Sequence, residues 1–396
     1  MAGLGPNLTP NILVDFVNAE GNILIAQSST HATSTSLTAF LTQLDINLPF
    51  ERTGLVVDHF NYDTVSASEK HDVLVLDSPQ PIRPGVKPLL SLGENDVIAF
   101  PHSVGHALGA SQLLTPIVRA PATAYSYNPT DQSEALDPEE LFGAGSQLGL
   151  VSALQARNSA RVVVLGSAEA LQDKWFGAKV AKLGGSKVTA ANREFAKKLS
   201  AWAFQETGVL RVNSVSHHLK GGNETAPELY IIKQEVVSRV SLPVCLNVQL
   251  LTLCQTFAIS ISEYSFDSWG PYEIDPADEL QLEFTMLSPF HRLNLEPVTR
   301  TADATVFGTS FKLPDQHGIF NFRVNYKRPL LTYVDEKHQV SVRQIAHDEW
   351  PRSYVISAAW PWVSGIGATI TGWLVFCGVW LYTKTTPAPT GAKKNN

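Results

Sequence analysis

The chain has 396 residues, 44% hydrophobic and 17% charged, with a formal net charge of −7; this composition excludes general disorder and allows a large core in two or three domains. An acidic balance with no basic cluster interleaved with aromatics excludes nucleic acid as a partner. Three cysteines, Cys245, Cys254 and Cys377, give neither a disulfide framework nor the paired spacing of a metal site.

The opening MAGLGPNLTP has no basic stretch followed by an apolar run, so no signal peptide is visible. Thr9 reads as a helix N-cap and Pro10 as the first helical position, with Ile12, Leu13, Phe16 and Val17 apolar and Gly21 as the stop. Short apolar runs then read as buried strands: NILIA, DVLVL (Asp72 to Leu76), DVIAF (Asp96 to Phe100) and RVVVL (Arg161 to Leu165). SLTAFLTQL (Ser36 to Leu44) reads as a helix, and so does REFAKKLSAWAF (Arg193 to Phe204), which places Phe195, Leu199 and Trp202 on one face. Residues 1–222 therefore read as an α/β domain. A parallel sheet of this class is built from strand-helix-strand units, and this one opens on a helix, so a first strand and helix are expected to be missing from its front.

Candidate chemistry within this domain is sparse. His102 and His106 stand four apart, but no glutamate follows the first and Gly105 weakens a helix, so a loop pair is expected and not two zinc ligands. GAGSQLG (Gly143 to Gly149), with Glu169 further on, nearly matches a dinucleotide loop. It follows the acidic, turn-like DPEELF and no strand, so it reads as a flexible connection. Ser167 sits at a strand-to-helix turn, where a hydrolase places its nucleophile, but Ala170 replaces the second glycine of that motif. His217 and His218 are adjacent and would point apart on a strand. No catalytic, cofactor or metal residue is assigned.

Past the turn-rich KGGNETAP (Lys220 to Pro227), Leu280, Leu282, Phe284 and Met286 alternate on one strand face, as do Phe320, Phe322, Val324 and Tyr326, and VSVRQI (Val340 to Ile345) adds a third strand. Residues 228–347 thus predict an antiparallel β-sandwich-like domain. Ser238 to Thr256 breaks the pattern and reads as an insertion. The acids of YEIDPADELQLE (Tyr272 to Glu283) could be paired catalytic carboxylates, but a turn before a strand ordinarily carries solvated acids. Asn7 and Asn223 begin glycosylation sequons, and Asn223, in a turn, is the better candidate.

Val363 to Tyr382 is twenty residues without a charge, enough to cross a bilayer core of about 30 Å. Trp360 and Trp362 mark one interface, Trp380 and Tyr382 the other, so 360–382 is predicted to be a transmembrane helix. Ser364, Ala368 and Gly372 recur every four residues, a small-residue stripe for close approach of a partner helix. The tail 383–396 carries Lys384, Lys393 and Lys394 and no acid, which predicts a cytosolic tail and a lumenal or exterior bulk.

Several long stretches resemble one family: GNILIAQSS (Gly21 to Ser29), DHFNYD (Asp58 to Asp63), LQARNSARVVVLGS (Leu154 to Ser167), MLSPFHRLNL (Met286 to Leu295), FKLPDQHGIFNFRVNYKR (Phe311 to Arg328) and HDEWPRSYVISAAWPW (His347 to Trp362). They resemble the oligosaccharyltransferase 48-kDa subunit family of the endoplasmic reticulum, in its fungal form. The resemblance implies a type I membrane protein with a lumenal Rossmann-like domain, a β-domain and one anchor. It also implies a non-catalytic role in a complex that moves an oligosaccharide from dolichyl diphosphate to asparagine, the transfer itself belonging to a multi-spanning subunit. The implied partners are that catalytic subunit, a ribophorin-type subunit and membrane lipids, with no cofactor. Lys393 and Lys394 match the family's two-lysine retrieval signal. Two stretches depart from the family: the absent leader with its strand and helix, and the segment 238–256. The alternative readings are a membrane-tethered α/β hydrolase or amidotransferase-like enzyme built on Ser167, and a lumenal sugar-binding module.

Overall fold

Arg161–Leu165 carries three consecutive valines, and all five of its residues are buried; the neighbouring Leu148–Gln155 is buried along all eight. Strands covered on both faces in this way form the centre of a sheet. The computed structural model describes residues 8–66, 71–79, 88–93, 95–128, 141–218, 229–231, 235–236, 257–347, 359–382 and 384. The insertion 238–256 and the candidate residues Asn7, Asn223, Lys393 and Lys394 lie outside them. The chain forms two units, Met1–Gln344 and Ile345–Asn396.

In the first unit Ile23–Ala26 runs parallel to Arg161–Leu165, which pairs antiparallel with Leu148–Gln155. Leu148–Gln155 also pairs antiparallel with His106–Leu108 and Leu114–Arg119, and His106–Leu108 with Ile46–Asn47. Val73–Asp77 with Val97–Pro101, and Leu55–Val57 with Tyr125–Tyr127, make two further antiparallel pairs. The four apolar runs expected to be strands are strands, and the mixed α/β character is as expected. The pairing is a correction: Ile23–Ala26 with Arg161–Leu165 is the sheet's single parallel pair among the described residues. Chain length explains it. The link 156–160 is far shorter than the crossover of about a dozen residues that parallel neighbours need, so Leu148–Gln155 and Arg161–Leu165 close as a hairpin.

The helices follow their caps. Thr9 Oγ1 accepts from the Ile12 N–H at 3.5 Å and opens Pro10–Asn18, and Ser34 Oγ opens Thr35–Gln43. Gly21 is not the left-handed stop of the first helix. Glu20 takes that conformation (φ 67°), and Gly21 lies against the Phe16 ring, where a Cβ would come within 2.3 Å. Asn192–Ala203 turns Phe195, Leu199 and Trp202 inward as expected.

Two five-stranded sheets make most of the remainder of this unit, beside the short pairs Lys179–Val180 with Val188–Thr189 and Glu235–Val236 with Phe311–Lys312. One holds Thr207–His217, Phe257–Ser265, Thr305–Thr309 and Glu296–Arg300, with Ser268–Pro271 beside Phe257–Ser265. The other runs Leu229–Ile231, Val334–Arg343, Gly318–Tyr326, Gln281–Thr285, Pro289–Asn294. Phe257, Ile259, Ile261 and Phe307 of the first share one buried cluster with Leu282, Phe284, Phe320, Phe322, Val324 and Tyr326 of the second. Phe284 stacks on Phe320 at 4.6 Å. The alternation read at 280–286 and 320–326 therefore faces this core, and Val340 and Val342 join it. Thr207–His217, grouped by sequence with residues 1–222, pairs with Phe257–Ser265 and so belongs to the second half.

Main-chain carbonyls join the halves. The Arg161 guanidinium, fully buried, donates to the carbonyls of Trp202 (2.6 Å), Thr207 (2.7 Å) and Gly208 (2.8 Å) and lies 4.8 Å from the Trp202 ring centre. Trp202 Nε1 donates to the Leu330 carbonyl at 2.7 Å, and Gln155 Nε2 donates to that of Leu331. Burial lowers the Arg161 pKa to about 10, which leaves it charged at neutral pH.

In the second unit Trp360–Leu381 is a helix of 22 residues, long and apolar enough to cross a membrane. Its hydroxyls are satisfied internally: Ser364 donates to the Pro361 carbonyl, Thr369 to Gly365 and Thr371 to Gly367. Hydroxyls tied to the helix's own carbonyls suit hydrocarbon surroundings.

Candidate functional site

Ser167 is completely buried. Its hydroxyl donates to the Pro101 carbonyl and accepts from the Ala170 N–H at 3.2 Å, so it clamps two strand ends and faces no base. Neighbouring His102 has Nδ1 2.9 Å from Glu169 Oε2 and Nε2 3.2 Å from Asp72 Oδ2. Both imidazole nitrogens therefore face carboxylates, and the serine-histidine contact of a hydrolase is not made. His106 is apart from His102: it is fully buried, with Nε2 2.5 Å from Ser152 Oγ.

The glycine-rich segment 143–149 is a correction. It passes through one 3-10 turn at Gly145–Gln147 into the buried strand Leu148–Gln155, so the glycines precede a strand and open no helix. Gly145 is left-handed (φ 59°), and Gly149 brings the chain so near His106 that a Cβ would meet Nε2 at 2.8 Å. His217 is buried, with Nδ1 2.7 Å from the Tyr230 hydroxyl and the ring stacked on Phe322. The acids at 272–283 are tied into structure. Burial pushes the Asp278 carboxyl up, but hydrogen bonds from Arg328 and from the Tyr326 hydroxyl (2.6 Å) outweigh it and hold the pKa below the ordinary value. Glu273 pairs with Arg300 and Glu283 with Arg292. Among the described residues no group of three or more histidine, cysteine, aspartate or glutamate side chains is placed to hold a metal.

A cluster that sequence reasoning did not single out lies where strands end. Leu55–Val57, Val97–Pro101 and Arg161–Leu165 deliver residues 58–63, His102 and Glu169 from their C-terminal ends, and Val73–Asp77 delivers His71 and Asp72 from its N-terminal end. Asp58 Oδ1 accepts from the Phe60 and Asn61 N–H groups (2.8 and 3.2 Å), and Oδ2 from Asn61 Nδ2 (2.9 Å) and Thr123 Oγ1 (2.6 Å). Asp63 repeats the device on Val65, Ser66 and Ala181. Burial pushes each carboxyl up, and these hydrogen bonds more than reverse it, holding both pKa values below the ordinary range. The segment between them presents His59, Phe60 and Tyr62. Tyr62 stacks on His71 at 3.9 Å, His59 Nδ1 meets His71 Nδ1 at 2.7 Å, and His59 Nε2 meets the Tyr125 hydroxyl at 3.1 Å. DHFNYD carries the signal in its two aspartates, which cap local turns. His71 lies 12 residues from His59 and Tyr125 lies 66, and neither spacing marks a contact in the sequence.

The membrane helix places Ser364, Ala368 and Gly372 at four-residue spacing, with open space where a Cβ on Gly372 would stand.

Two family models match the chain, the OST48 N-terminal domain over residues 1–206 and the OST48 middle domain over 254–384. The chain belongs to the OST48 family. The Caenorhabditis elegans dolichyl-diphosphooligosaccharide-protein glycosyltransferase 48 kDa subunit is 33% identical over 393 residues, 98% of this chain and 79% of the nematode one. The Schizosaccharomyces pombe glycosyltransferase subunit wbp1 is 31% identical over 99% of this chain and 82% of its own, and the Arabidopsis thaliana 48 kDa subunit 30% over 96% and 79%. The two OST48 matches leave 207–253 between them, and the suspected insertion 238–256 begins in that interval.

Proposed function

We propose that this chain is an accessory, non-catalytic subunit of oligosaccharyltransferase, the complex that transfers a preassembled oligosaccharide from dolichyl diphosphate to asparagine in nascent proteins of the endoplasmic reticulum. The carrying observation is family membership across nearly the whole length, with relatives named as subunits of that glycosyltransferase. The commitment of Ser167, His102 and Asp278 to structural contacts accords with a supporting role and counts against the tethered-hydrolase alternative.

In this reading the α/β half is a Rossmann-like variant, the paired sheets a β-sandwich, and both lie in the lumen. Trp360–Leu381 crosses the membrane once, and the acid-free, lysine-bearing tail is cytosolic by the positive-inside bias. Lys393 and Lys394 serve as the retrieval signal, and Asn223, with Asn7 second, as a glycan acceptor. Ser364, Ala368 and Gly372 form the face against helices of the multi-spanning catalytic subunit or a ribophorin-type subunit. The test is affinity purification of the tagged chain from its native organism in mild detergent, together with protease treatment of sealed microsomes. The expected outcome is recovery with a multi-spanning glycosyltransferase and loss of the tail alone to protease. Recovery without such a subunit, or digestion of the bulk, would overturn the reading.

A further inference from the structure

Among the described residues, the rings of Phe60, Tyr62 and Tyr125 stand outside the buried hydrophobic clusters, and His59 and Phe60 are exposed while Tyr62, His71 and Tyr125 are half-buried. They are nevertheless held firmly. Two buried carboxylates fix the segment that carries the first three, and His59 and Tyr62 are locked on His71 and Tyr125 by the contacts described above. Phe60 stands 64% exposed beside them. His71 (φ 50°) and His102 (φ 44°) both hold left-handed backbone conformations, which persist where the surrounding structure over-determines them. The His59–Tyr62 segment follows the strand Leu55–Val57, His71 precedes Val73–Asp77 and Tyr125 opens the strand paired with Leu55–Val57.

From this geometry we infer that the His59–Tyr62 segment, with His71 and Tyr125, is a binding site for a neutral oligosaccharide. Flat apolar ring faces whose edges carry imidazole nitrogens and phenol hydroxyls match a hexose, which has an apolar face of C–H groups rimmed by hydroxyls. None of these groups is lysine or arginine, and Asp72 and Glu169 beside His102 add negative charge, so a phosphate or other anion is disfavoured. Fixed rings bind with little ordering cost. The inference rests on the family reading in taking the sugar to be one met during oligosaccharyl transfer, either the lipid-linked donor or a glycan already on protein.

The test uses the intact complex purified through this chain, and a neutral hexose oligosaccharide bearing a diazirine. Photolabel is expected on peptides containing His59–Tyr62 or His71. It should fall about five-fold in Tyr62→Ala, the loss of one ring contact, and survive in Tyr62→Phe, which keeps the ring. A parallel rise in the KM for the lipid-linked donor with unchanged kcat identifies the donor as the source; lost labelling with an unchanged KM identifies a protein-borne glycan. An active complex whose label avoids these peptides, or whose labelling is equal in Tyr62→Ala, overturns the site and leaves the family reading standing. A chain recovered without oligosaccharyl transfer overturns that reading, and the assigned source of the sugar with it.

Discussion

Arg161 is the residue on which most rests. One buried guanidinium satisfies three carbonyls at the end of Asn192–Ala203 and the start of Thr207–His217. Arg161→Ala removes three charge-assisted hydrogen bonds, although the Trp202 and Gly208 carbonyls keep the N–H groups of Gln205 and Thr332, and it opens a cavity, so unfolding in denaturant should show a loss of about 3 kcal/mol, while Arg161→Lys should recover part of it. His106 and His217 supply a pH dependence. Burial lowers each pKa from 6.5 to about 4, helped at His217 by His338 and His218. Above pH 6.5 both are neutral in folded and unfolded chains and cost nothing. As pH falls from 6.5 towards 4 the unfolded chain takes up protons that the folded one refuses, and stability drops by about 1.4 kcal/mol per pH unit for each histidine. The melting temperature of the full-length protein should therefore fall between pH 7 and pH 5, and His106→Gln should flatten the profile. A profile in His106→Gln as steep as the parent's would count against this assignment.

Among the elements, the membrane helix yields the sharpest expectation. Gly372→Leu fills the open face of the small-residue stripe and should cut co-recovery of partner subunits about ten-fold, the worth of one close helix contact. Ile370→Leu, on the opposite side of the helix, should leave recovery unchanged, and equal losses in both variants would remove the stripe as an interface. Elements of this kind were legible because one physical demand dominates their composition: an apolar stretch for lipid, and β-branched runs such as Arg161–Leu165 for a covered strand. Leu148–Gln155 was not legible. LGLVSALQ alternates nothing and has few β-branched residues, and its strand character comes from neighbours on both edges. Pairing direction was likewise hidden, because it depends on loop length and not on the strands.

At the scale of the whole molecule, the sequence separated a mixed α/β half from a β half, and alternation at 280–286 and 320–326 marked the inner faces correctly. The pairing of Thr207–His217 with Phe257–Ser265 was hidden because the strand begins only four residues after the helix Asn192–Ala203 ends and looks like that helix's continuation. The ring cluster stayed dispersed for a related reason. DHFNYD records its own turns, but His71, Tyr125 and His102 meet it only once the sheets have paired, and left-handed conformations at two histidines leave no mark on composition.

The seam between the halves is made largely by side chains gripping carbonyl oxygens, and every amino acid carries one. Positions such as Thr207 and Leu331 can accordingly exchange their side chains with little effect on that grip. Gly208 cannot: it is left-handed, and a Cβ there would stand 2.7 Å from the Leu330 oxygen. The grip should thus be strict at Arg161, Gln155, Trp202 and Gly208, while Leu330 and Leu331 are constrained by the buried clusters they join and not by their carbonyls.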